Sequence, residues 1–205
     1  MAAGRSVAFV GNPRKKTMHC ADTVQLDSHA AATLRYIRAS MESASSLAVP
    51  GSTGIASGVV GLAATIVSLI PALRPHWLLV WLVAAVVAAV AGGVLLFRQA
   101  PIRRFALGLV PSLFAGAVMT AVLWSSSHIH AIPGTWLLLY GCGLIAASTA
   151  TGKSIGILGA SFVVAGLLAL VLPDSLQIPM LGIGFGGLHI GFGLLVRRAG
   201  HGREA

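Results

Sequence analysis

The chain has 205 residues, of which 56% are hydrophobic and only 9% charged, with a formal net charge of +9. Soluble domains carry about 25% charged residues. So few charges cannot clothe a water-borne domain of this size, which excludes an ordinary soluble enzyme and leaves the bilayer as the solvent that fits.

Residues 1–28 show no sustained apolar period and are expected to form a disordered cytoplasmic tail. The opening "MAAGRSVAFVGNPRKK" lacks the apolar stretch of about 7–15 residues that a secretory signal needs. The first span is therefore expected to act as an uncleaved anchor. Within 29–48, Ala30, Leu34, Ile37 and Met41 recur at helical spacing, while Arg38 and Glu42 stand one turn apart on another face. This pattern predicts a short amphipathic helix and linker lying on the cytoplasmic leaflet, its arginines reaching toward headgroups. "SSLAVPG" ends it.

Six apolar runs follow, at 51–70, 77–97, 105–124, 134–151, 155–172 and 178–196, and none contains Asp, Glu, Lys or Arg. Each approaches the ~20 residues that a helix needs to cross the hydrocarbon. The expected fold is all-α: a polytopic membrane protein with six transmembrane helices in one bundle over 49–198 and a cytoplasmic tail at 199–205.

Charge placement gives the orientation. If the spans alternate, Arg5, Arg14, Lys15, Lys16, Arg35, Arg38, Arg98, Arg103, Arg104, Lys153, Arg197, Arg198 and Arg203 share one side, and Arg74 alone lies on the other. Excess Lys/Arg marks the cytoplasmic face. Both termini are thus expected inside the plasma (inner) membrane. The basic charge is read as topology, with some attraction to anionic lipid, and nucleic acid is not an expected partner. Cys20 falls in the tail and Cys142 in span four, so no disulfide is expected.

"PGSTGIASGVVGLAAT" from Pro50 aligns with "PGTWLLLYGCGLIAAS" from Pro133. A true repeat would pair three helices with three of inverted topology, as in many transporters.

Span six holds "GIGFGGLHIGFG". At ~100° per residue, Gly182, Gly186, His189 and Gly193 share one face, and Gly184, Gly187 and Gly191 the opposite one. Small-xxx-small spacing on both faces predicts a helix gripped by neighbours on two sides. Within the spans the polar, ionisable side chains are His189, Tyr140 and Cys142. A histidine in hydrocarbon is a candidate functional residue, and a neutral imidazole, offering one donor and one acceptor, also serves as interhelical glue. No second intramembrane histidine is present for bis-His haem, and no cofactor is expected.

His76, His128, His130 and Asp174 fall in the outer loops and are weak candidates for a Zn²⁺ or Cu²⁺ site. "ATGKS" around Lys153 lacks the upstream glycine and the strand of a phosphate-binding loop. Without midplane carboxylates or basic groups, a coupled transporter is disfavoured. A non-catalytic partner, sensor or scaffold, bound to lipid and to a membrane protein partner, fits best by elimination, with a small uncoupled transporter or channel-like protein as the alternative.

The stretches "LRYIRASMESA" and "GFGGLHIGFG" resemble a group of uncharacterised bacterial six-span integral membrane proteins. The resemblance covers residues 34–198 and implies topology and a start near Leu34; the group has no assigned activity, so it implies no mechanism. Cys142 and His189 lie at nearly equal depth, roughly 13–17 Å below the outer boundary at 1.5 Å per residue. "YGCG" around Cys142 and "HIGFG" from His189 resemble, in layout, the rhomboid-type intramembrane proteases, which implies a nucleophile on span four and a base on span six. The chain departs from that family in having no Gly-x-Ser-Gly, a short first loop and no polar oxyanion group on span two.

Overall fold

The computed structural model describes residues 32–37, 51–96 and 102–201. Every regular element among them is helical. The tail at 1–28, Cys20 and most of the 29–48 segment lie outside the described residues. Residues 32–37 form a helical turn belonging to a unit of its own, with Leu34, Tyr36 and Ile37 exposed.

In the second unit, six helices are long and apolar enough to cross a membrane. They are α1 (Gly51–Leu69), α2 (Trp77–Leu96), α3 (Ile102–Ser125), α4 (Ile132–Thr151), α5 (Lys153–Val171) and α6. The last is continuous through Gln177–Leu181, a π-helical turn at Gly182–Leu188 and His189–His201. Short 3₁₀ turns at Arg74–His76, Ile129–Ala131 and Asp174–Leu176 lead into α2, α4 and α6. The helices fall where the six apolar runs do.

Three seams built on glycine organise the unit. The α4–α5 hairpin turns on Gly152, whose φ of 105° is closed to most other residues. A Cβ on Gly141 would stand 2.6 Å from the Gly159 carbonyl oxygen, and one on Gly159 would stand 2.8 Å from that of Gly141. Two backbones therefore meet face to face, the arrangement that small residues permit between apolar helices. On the opposite flank of α4, Gly108 of α3 sits against Ala147, and the Trp136 indole N–H donates to Thr120 Oγ1 at 2.7 Å. Along α1, Gly51, Gly58 and Gly61 admit the α6 backbone at Gly193, Gly186 and Phe185.

The core between these seams is Ala64, Trp81, Leu137, Leu144, Leu158, Phe162, Ala169 and Leu181. Gln177 is buried beside it and donates through Nε2 to the carbonyls of Ala169 and Leu172, satisfying acceptors at the end of α5. The helices α2 and α3 are peripheral: 11% and 6% of their apolar windows are buried, against 33–39% for the other four.

A pseudo-twofold inversion would map α1 onto α4 and α6 onto α3, and α1 does pack on α6 as α4 packs on α3. Individual glycines are used differently. Gly58 and Thr65 of α1 face α6, whereas their counterparts Gly141 and Ser148 face α5 at Val163 and Gly156. Matched letters in Ala- and Gly-rich helices here serve different contacts.

The glycine faces of α6 also differ from a straight α-helical projection. Gly182, Gly186 and Gly193 do meet α1, at Thr65, Leu62 and Ile55, and Gly184 meets Leu137 of α4. A Cβ on Gly187 or Gly191 would find nothing within 4 Å, so these two glycines grip no neighbour. His189 leaves the Gly182–Gly186 side and turns toward α4 and α5. The π turn at Gly182–Leu188 widens the helix just before His189, while Gly193 beyond it keeps to the α1 side.

Candidate functional site

The histidine belongs to a polar pair that joins α4 and α6. His189 is 7% exposed. Its Nδ1 lies 3.1 Å from the Phe185 carbonyl oxygen one turn earlier. A carbonyl can only accept, so Nδ1 carries the proton and donates. The Nε2 lone pair is then free to accept, and the Tyr140 hydroxyl, 2.9 Å away, donates to it. One backbone contact thereby fixes the tautomer, and the tautomer fixes the direction of the interhelical bond.

Aromatic rings enclose the pair. Tyr140 meets Phe162 edge-on at 4.9 Å between centroids, and His189 meets Phe162 edge-on at 5.1 Å. Phe185 stacks near-parallel on His189 and tilts against Tyr140, Phe162 and Trp81. Edge-to-face packing sets ring hydrogens against π faces, contributing about 0.5–1.5 kcal/mol per pair beyond area burial. The cluster draws on α2, α4, α5 and α6.

Cys142 is not part of it. The thiol is exposed and free, and both imidazole nitrogens are taken by other partners. Tyr140 and Cys142 are two residues apart on α4, about 200° around the helix. With Tyr140 inside, Cys142 points out, and the structure does not bring the cysteine and histidine together as a dyad. Alkylation of Cys142 by a lipid-soluble maleimide is expected to run at the same rate in the wild type and in His189→Ala. A slower reaction in the variant would restore a thiol–base contact.

Nor do the outer-loop candidates converge. His128 and His130 are neighbours with ring centroids 5.9 Å apart, and both are exposed. Among the described residues no three His, Cys, Asp or Glu side chains gather as a metal site, so His76 and Asp174 stay in separate loops.

The partner of His189 is what sequence reasoning missed. Tyr140 was visible as an intramembrane polar residue, and depth arithmetic placed α4 residues near 140–142 at the level of His189. Which of their faces meets the histidine depends on how α4 is rotated about its axis, which counting residues does not give. The arrangement can hold two helices in register through a directed hydrogen bond. It presents no unpaired acid, base or nucleophile to a substrate. Comparison of the chain with family models, with curated proteins and with solved structures gives no match.

Proposed function

We propose that this chain is a multi-pass integral membrane protein, its six helices forming one bundle, that acts without catalysis as a partner, sensor or scaffold in the plasma (inner) membrane. The observation that carries the reading is the closed Tyr140–His189 pair: both ring nitrogens are spent on protein contacts inside an aromatic cluster. A general base or metal ligand needs an open lone pair. The exposed apolar surfaces of α2 and α3 supply the area that lipid or a membrane partner covers.

Lys/Arg asymmetry supports cytoplasmic termini, with the 29–48 segment as an interfacial helix on that side. Topology reporters fused after Arg104 and after His130 are expected to score inside and outside respectively. The same side for both would overturn the orientation.

Affinity purification from native membranes in mild detergent tests the role itself. A stoichiometric integral membrane partner, with no proton- or sodium-driven flux from the purified chain in proteoliposomes, is the expected outcome. A chain that purifies alone and drives ion-coupled flux would refute it.

A further inference from the structure

We propose that the turn joining α3 to α4 binds a divalent transition-metal ion of the zinc or copper type, held by His128 and His130 with water in its remaining positions. The four outer-loop candidates do not gather, but these two do: their ring centroids lie 5.9 Å apart with the planes at 54°. A metal–imidazole bond is about 2.0–2.1 Å, which puts each ring centre roughly 3.2 Å from the ion. Two rings on one ion then have centres at most about 6.4 Å apart, and about 5.2 Å apart at a tetrahedral angle. The observed separation falls between these values. Both rings are exposed, so rotation about their own side-chain bonds aims a nitrogen of each at a shared ion without displacing a packed atom.

The backbone holds the pair in place. The N–H groups of Ser126, Ser127 and His128 donate to the carbonyls of Val122, Trp124 and Leu123, closing the end of α3. The Ala131 N–H donates back to the His128 carbonyl and opens the 3₁₀ turn that runs into α4. Inside a 3₁₀ turn, side chains two residues apart diverge by about 120°. His128 stands just outside the turn, at φ −97° and ψ 42°, and its ring lies beside that of His130. A pinned loop loses little conformational freedom when the ion binds.

The ring nitrogens are also available. Among the described residues neither imidazole is hydrogen-bonded to the protein, whereas both nitrogens of His189 are taken. Neutral imidazole suits zinc and copper, and a given nitrogen site binds Cu²⁺ more tightly than Zn²⁺. A structural zinc centre closes the ion in four protein ligands; two leave open positions, from which the ion exchanges. Such a site is independent of any scaffold role. Only its place on the face away from the cytoplasm rests on the proposed orientation.

Calorimetric titration of the full chain in detergent, purified without a histidine tag, reads the site whichever way the chain sits in a membrane. One saturable Zn²⁺ per chain is expected, and one Cu²⁺ bound more tightly. His128→Ala and His130→Ala should each weaken binding by at least about tenfold, the loss that removing even an indirect partner of a metal brings. His76→Ala should leave it unchanged. Electron paramagnetic resonance of the Cu²⁺ complex is expected to show coupling to two imidazole nitrogens in the wild type and to one in either variant. Absence of saturable binding overturns the proposal, as does binding that survives both substitutions together or that needs only one of the two histidines.

Discussion

Gly141→Val and Gly159→Val are each expected to lower the thermal midpoint of the detergent-solubilised protein by about 2–12 °C, while Gly187→Val and Gly191→Val leave it nearly unchanged. All four are glycines in apolar helices, so composition and helix propensity treat them alike. Their surroundings do not. A Cβ on Gly141 would lie 2.6 Å from the Gly159 carbonyl oxygen and 2.7 Å from the Val163 nitrogen. The obstructing atoms are main chain of the facing helix and cannot rotate away, so α4 and α5 must part along their whole seam. Forced overpacking costs about 1–3 kcal/mol, and each kcal/mol moves the midpoint of a chain this long by roughly 2–4 °C. Gly187 and Gly191 meet nothing within 4 Å. Differential scanning fluorimetry across the four variants checks the contrast. Equal losses at all four sites would mean that the α4–α5 seam is not the tight contact described, or that a second copy covers the outer face of α6.

The six helices were legible because hydrocarbon thickness imposes a length that uncharged runs display directly. The runs at 51–70 and 155–172 became α1 and α5 with shifts of one or two residues. Faces were less legible than spans. Projection at a constant angle per residue grouped His189 with Gly182, Gly186 and Gly193, and Gly187 and Gly191 with Gly184. The three glycines of the first face do meet α1, but the His189 ring turns to α4 and α5, and Gly187 and Gly191 meet nothing within 4 Å. Glycine abundance signalled close backbone approach there, but abundance does not encode hydrogen-bond register. The Cys142–His189 pairing failed in the same way: depth along the membrane normal comes from counting residues, whereas azimuth accumulates every departure from ideal geometry. At the correct level α4 offered two polar side chains about 200° apart, and the inward one was Tyr140.

That pairing leads to the second large effect. His189→Ala is expected to cost about 3 kcal/mol, because it empties a ring-sized volume among Tyr140, Phe162 and Phe185 that the glycine-tight helices cannot close. Tyr140→Phe keeps the ring and removes only the hydroxyl, leaving the Nε2 lone pair unpaired in apolar surroundings at a cost of about 1–2 kcal/mol. Because the hydroxyl and the imidazole serve each other, the double variant should be more stable than the sum of the single losses implies. Interhelical hydrogen bonds between apolar helices couple by about 0.6 kcal/mol on average and up to about 1.7. This bond, directed by a fixed tautomer and shielded by rings, should fall in the upper part of that range. Reversible unfolding of the four proteins in mixed micelles by titration with dodecyl sulfate gives the cycle. A coupling near zero would mean that Tyr140 and His189 stabilise the fold only as independent rings. His189→Phe then separates bond from volume: it refills the space and should recover part of the stability lost in His189→Ala, while the Tyr140 hydroxyl it strands should make the His189→Phe, Tyr140→Phe double variant at least as stable as His189→Phe alone.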